Sequence, residues 1–118
     1  MLIDQDRVPA TVVEAIKMFW DALEEPEKQS LKDVDEDQLV VFHHTLGEDI
    51  RNAWTLTDKN SILVNQFKEL GVSHADDISG IILTSVYRKL HKKPLNLKGQ
   101  VAKFKKYWMN EIGKEMPE

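Results

Sequence analysis

Apolar residues recur at helical intervals along almost the whole chain. Val12, Ala15, Ile16, Phe19 and Leu23 fall three and four residues apart behind Pro9, and Thr11 with Glu14 three residues later makes a capping-box pattern. The spacing predicts a first helix ending near Glu24. Pro26 suits the first turn of a short second helix, Glu25 to about Lys32, with Leu31 turned inward. The acidic run Asp33-Val34-Asp35-Glu36-Asp37 supplies a cap and favourable first-turn charges for a third helix, which carries Leu39, Phe42, Leu46, Ile50 and Ala53 or Trp54 on one side. Gly47 inside that helix costs about 1 kcal/mol relative to alanine, which points to a close approach by a neighbouring backbone or to a kink.

Thr57-Asp58-Lys59-Asn60 reads as a loop, followed by a helix from Ser61 or Ile62 to Leu70 that Gly71 ends. Ser73-His74-Ala75-Asp76 is a second capping-box-like start, with Asp in place of the usual Glu. The helix it opens carries Ile78, Ile81, Ile82, Val86 and Leu90 on its inner face, and Lys92-Lys93-Pro94 closes it. A last helix, from Asn96 or Leu97, bears the stripe Leu97, Val101, Phe104, Trp108 and Ile112. No segment alternates with period two, and Val40-Val41-Phe42 is the only short run that argues for a strand. The predicted architecture is all-α: one compact orthogonal bundle of five to six helices, a single domain over 1–118.

Length and composition agree with that reading. The 118 residues suffice to bury a core without cross-links, and 42% hydrophobic with 31% charged residues is the balance of a globular protein, not a disordered or membrane one. No apolar run approaches the roughly 18 residues of a bilayer span. Residues Met1 to Asp6 have neither the basic start nor the apolar stretch of a secretion signal, so the expected compartment is the cytoplasm. With no cysteine, disulfides, thiolate metal sites and Cys nucleophiles drop out together.

The net charge of −4 conceals an asymmetry. Residues 1–60 hold 14 acidic against six basic side chains, and residues 61–118 hold six against ten. Asp21, Glu24, Glu25, Glu27, Asp33, Asp35, Glu36 and Asp37 crowd one stretch beside only Lys28 and Lys32. Arg88, Lys89, Lys92, Lys93, Lys98, Lys103, Lys105 and Lys106 crowd another that contains no acid. Such runs are either two solvated faces that attract each other weakly or the docking charges of a partner-binding surface.

Chemistry-bearing residues concentrate in two segments, His43 to Trp54 and His74 to Ile82, which hold three of the four histidines. His43 falls at the edge of the buried face of its helix, with His44 about a third of a turn further round. Adjacent histidines do not converge on one metal ion as an i, i+4 pair does, so no metal or cofactor is expected. A buried arginine needs a partner, so Arg51 is expected to pair with Asp76 or Asp77 across two helices, with Asn52 nearby. The alternative is that His43, His44, Asp49, Arg51, Asn52, Trp54, His74, Asp76, Asp77 and Ser79 line one pocket, where histidines and carboxylates can move protons. No phosphate-binding glycine loop or nucleophile elbow accompanies them, which makes an enzyme the lesser reading.

The succession Phe42-His43-His44-Thr45-Leu46-Gly47, Asp49-Ile50-Arg51-Asn52-Ala53-Trp54 and His74-Ala75-Asp76-Asp77-Ile78-Ser79-Gly80-Ile81-Ile82 resembles a bacterial family catalogued only as a domain of unknown function. That family pairs a His-Leu-Gly helix with an Ile-Arg-Asn-x-Trp or Phe segment and a His-Pro-Asp-Asp-x-Ser helix start. Ala75 stands here where that start has proline. The likeness covers about the middle two thirds of the chain. It implies the helical architecture and transfers no catalytic residue.

Three functional expectations follow. The first is a protein-interaction module, for example an immunity or antidote-type protein that covers a basic toxin, docking through Asp21, Glu24, Glu25, Glu27, Asp35 and Glu36. The second is nucleic-acid binding through Arg88, Lys89, Lys92, Lys93, Lys103, Lys105 and Lys106 with Tyr107 or Trp108 for stacking, against which stands a pI of about 5.6. The third is a small metal-dependent hydrolase built on the His/Asp/Arg cluster. No membrane partner is expected.

Overall fold

A computed structural model describes residues 3, 6–107 and 109. Six α-helices form an all-α bundle: α1 (Val12–Ala22), α2 (Glu25–Lys32), α3 (Glu48–Ala53), α4 (Ile62–Leu70), α5 (Ala75–Leu90) and α6 (Leu97–Tyr107). No strand occurs among the described residues. Among them no helix is long and apolar enough to cross a membrane. Trp108 and Ile112, the last two members of the predicted α6 stripe, lie outside the described residues.

The helix ends follow local chemistry. Thr11 Oγ1 accepts from the Glu14 amide at 3.1 Å to cap α1, while the Glu14 carboxylate turns to Arg7 instead of closing the box. At α2 the box is complete and acidic: Glu24 caps the Glu27 amide, and Glu27 Oε1 accepts from the Glu24 amide at 3.0 Å. Ser61 Oγ caps α4, and Gly71 ends it with φ +99°, the left-handed conformation that costs glycine least. The start of α5 differs from expectation. His74, not Ser73, is its cap, and the ring Nδ1 accepts from the Asp76 amide at 3.1 Å.

Helix α5 is the centre of the bundle, packing against α1, α2, α3, α4 and α6. The sequence marks one apolar face, yet Ser79, Gly80, Leu83, Ser85 and Tyr87 are buried too. Small residues at 79, 80 and 85 let neighbours approach on the sides that the hydrophobic stripe does not cover. The core around it contains Phe19, Leu31, Ile50, Trp54, Leu56, Leu63, Phe67 and Val72.

The predicted third helix is not uniform. It runs as a 3-10 helix over Glu36–Phe42, one turn of π-helix over His43–Gly47, and then α3. Asp35 and Gln38 form the capping box at its start. A 3-10 helix turns further per residue than an α-helix and a π-helix turns less, so the two deviations offset and Leu39, Leu46 and Ile50 still face the core. In the 3-10 part, residues three apart eclipse, which lines up Glu36, Leu39 and Phe42 inward. That leaves Val40 and Val41 outside, each 61% exposed. The strand-like run of the sequence is thus a helical segment with an apolar outer edge.

Candidate functional site

Arg51 is the hub where α3 meets α5. Its Nη1 donates to Ser79 Oγ at 3.0 Å, its Nη2 to the His43 carbonyl at 3.2 Å, and its Nε lies 3.4 Å from Asp76 Oδ1. The Ser79 hydroxyl donates in turn to the Asp76 carbonyl at 3.0 Å, tying the guanidinium to the first turn of α5. Of the two pairings the sequence allows, Asp76 is therefore the ion partner. Only 20% of the Arg51 side chain is exposed, so its charge needs these contacts.

Two glycines make room for this arrangement. A Cβ on Gly47 would stand 3.1 Å from Arg51 Nη1, and one on Gly80 would stand 3.2 Å from His43 Cε1. Gly47 thus admits a side chain, where the sequence pointed to a neighbouring backbone or a kink. The His43 imidazole rests on the surface of α5 at Gly80. Burial above all, then the Arg51 guanidinium and His44, lower its pKa below the ordinary 6.5, against the opposing pull of Asp76 and Asp77. The balance favours the neutral imidazole.

Of the remaining cluster candidates, Asn52 and His74 join Arg51 and Asp76 in lining a cleft, and the others scatter. His44 and Asp49 are exposed on the outer side of their segment, and Asn52 is exposed at the end of α3. Asp77 is half-buried in the first turn of α5. Trp54 leaves the cluster for the core, 1% exposed, and its buried indole Nε1 meets no hydrogen-bond acceptor. Among the described residues no three His, Asp or Glu side chains converge as metal ligands would.

Beside Arg51 opens a cleft of about 500 Å³, walled by the end of α3 (Arg51, Asn52), the turn Thr55–Thr57, Lys59, one face of α4 (Val64, Asn65, Lys68) and residues 73–76. Thr55 forms its rim in a left-handed conformation, φ +47°, with the Leu56 amide bonded back to the Arg51 carbonyl at 3.1 Å. This is the turn that usually closes a helix with glycine, and a β-branched residue there is strained. Thr55, Lys59, Asn65 and Lys68 were not legible as cleft residues. Only the polar run at 57–60 hinted at an irregular surface there.

The two charge runs partly meet each other. Arg88 Nη2 donates to Glu36 Oε2 at 2.8 Å, and its Nη1 donates to the Pro94 carbonyl at 3.3 Å. Lys28 and Lys89 stand over the Trp20 ring at 4.5 and 4.4 Å, a pair of cation–π contacts joining the acidic stretch to α5. Lys93 lies 6.0 Å from the Tyr87 ring, and the stem of Lys105 covers Gly71. Glu24, Glu27 and Asp35 serve as caps. Asp21 and Glu25 are exposed, as are Lys92, Lys98, Lys103 and Lys106.

An all-α domain with an arginine-centred polar joint between two helices is the class that these features define. The chain belongs to the family described as Domain of unknown function (DUF6794), whose model matches residues 8–90. That span ends with α5, so it includes Arg51, Asp76, Ser79 and the whole cleft, while α6 follows it. Comparison with curated proteins and comparison with solved structures each return no match.

Proposed function

We propose that this protein is a protein-interaction module that docks a basic partner through the 3-10 helix and the adjoining acidic stretch. The observation that carries the reading is the pair Val40 and Val41, two large apolar side chains each 61% exposed, next to Asp35 and Asp37. In a 3-10 helix Asp37 eclipses Val40 one turn on, so a carboxylate and an apolar group stand in one outward row. An apolar centre with charged flanks is the anatomy of a protein interface, and the carboxylates select a basic partner and speed its approach. Exposed Asp21 and Glu25 extend the negative field.

The narrower form of the proposal is an antidote-type role, in which the acidic face covers the functional surface of a basic enzyme such as a nuclease-like toxin. The −4 charge supports it. The test is retrieval of partners from the native cell with the full chain and with two variants, Asp21→Lys/Asp37→Lys and Val40→Ser/Val41→Ser, each checked by circular dichroism. One basic protein lost from both variants is the expected result, with its activity inhibited by the wild-type chain alone. A partner retained equally by both variants would overturn the docking face.

A further inference from the structure

We infer that the cleft beside Arg51 is a binding site for a small hydroxylated molecule bearing one anionic group, a carboxylate or a phosphate monoester. The floor of the site is prebuilt. A guanidinium has five N–H donors, and the contacts to Asp76, Ser79 and the His43 carbonyl engage three of them. Those contacts hold the guanidinium in place at the edge of the cleft, and such a fixed cation costs less ordering when an anionic oxygen arrives.

The walls carry the same sign. Lys59 and Lys68 stand with Arg51 against the single carboxylate of Asp76, so the lining has three cations and one anion in a protein whose net charge is −4. A concave surface of one sign concentrates counter-ions from solution. Asp76 and Asp77 already answer the positive end of α5, so that end adds nothing to the account. The lining also holds the polar groups of Asn52, Thr55 and Thr57 and the apolar Val64 and Leu56, while the Asn65 amide nitrogen donates to the Lys59 and Ser61 carbonyls. Those groups match a hydroxylated carbon skeleton. About 500 Å³ lies within the range of roughly 300 to 1,000 Å³ occupied by small-molecule ligands. The strain of Thr55 fits the same account, because unfavourable backbone is retained where it shapes a site.

This site is separate from the proposed docking face, and the two stand or fall independently. The test titrates the isotope-labelled full chain at low ionic strength with inorganic phosphate, with gluconate and with glucose 6-phosphate, following amide and Arg51 Nε–H resonances. Saturable shifts confined to residues 51–59, 64–68 and 73–76 are expected, with either gluconate or the sugar phosphate binding more tightly than phosphate alone. Which of the two binds better identifies the anionic group. Lys59→Glu/Lys68→Glu, which alters only exposed side chains, should weaken binding about tenfold or more. Arg51→Lys should keep the charge and still weaken binding, because the fork of donors is gone. Absence of shifts, shifts spread over residues 88–106, or affinity unchanged in the double-lysine variant would each overturn the site.

Discussion

Arg51 Nη1 lies 3.0 Å from Ser79 Oγ, a bond that spans 28 residues of sequence and fastens α3 to α5. Ser79 is fully buried, and its hydroxyl both accepts from the guanidinium and donates to the Asp76 carbonyl. The charge on the donor makes this bond worth more than a neutral one.

Ser79→Ala should therefore destabilise the protein by about 2 kcal/mol, the cost of removing a buried partner from a charged donor. Urea unfolding would show a lower midpoint with an unchanged slope. A shift under about 0.5 kcal/mol would mean that the other Arg51 contacts suffice to hold the joint.

His43 makes stability depend on pH. Its folded pKa is lower than the unfolded 6.5, so the unfolded chain takes up a proton first. The contribution is complete above 6.5 and is lost as pH falls from there through the folded value. Melting temperature should fall as pH drops below about 6.5, and His43→Gln should remove the imidazole's share of that fall. An identical pH profile in the variant would assign the dependence to other groups.

Thr55 stores strain at the rim of the cleft, with φ +47°. Asparagine tolerates the left-handed region far better than a β-branched residue. Thr55→Asn should raise stability by about 1 kcal/mol, read as a higher urea midpoint. A lower midpoint would show that the threonine methyl or hydroxyl supports the cleft wall more than its backbone strains it.

The pair Glu36–Arg88 joins the acidic and basic runs at 2.8 Å, with side chains 35% and 23% exposed. A double-mutant cycle with Glu36→Gln and Arg88→Met should give a coupling of about 1 kcal/mol that shrinks as salt is added. Zero coupling would leave the runs as independent faces.

The amphipathic helices were legible because each follows from neighbours in the chain. Thr11 as a cap, Gly71 as a stop, Leu31 as the inward residue of α2 and the apolar stripes of α1 and α5 need only local spacing and propensity. The third helix was the exception. Its apolar positions repeat as an α-helix would place them, and the sequence holds no sign that tight and wide windings share the same phase. Those windings put Val40 and Val41 outside and Glu36 opposite Arg88.

At the Arg51 joint the sequence narrowed the choice without making it. That arginine must find an acid followed from the cost of burying a charge, which is a property of the residue alone. That the acid is Asp76, that Ser79 takes part, that His43 lies on Gly80 and that Trp54 turns into the core are matters of how α3 lies on α5. The cleft is the extreme case, since Lys59 and Lys68 border it only because α4 folds back beside the end of α3. Pattern along a chain sets which face of an element is apolar. Contacts between faces depend on distances that no local rule encodes, and those distances place the donors and charges on which function rests.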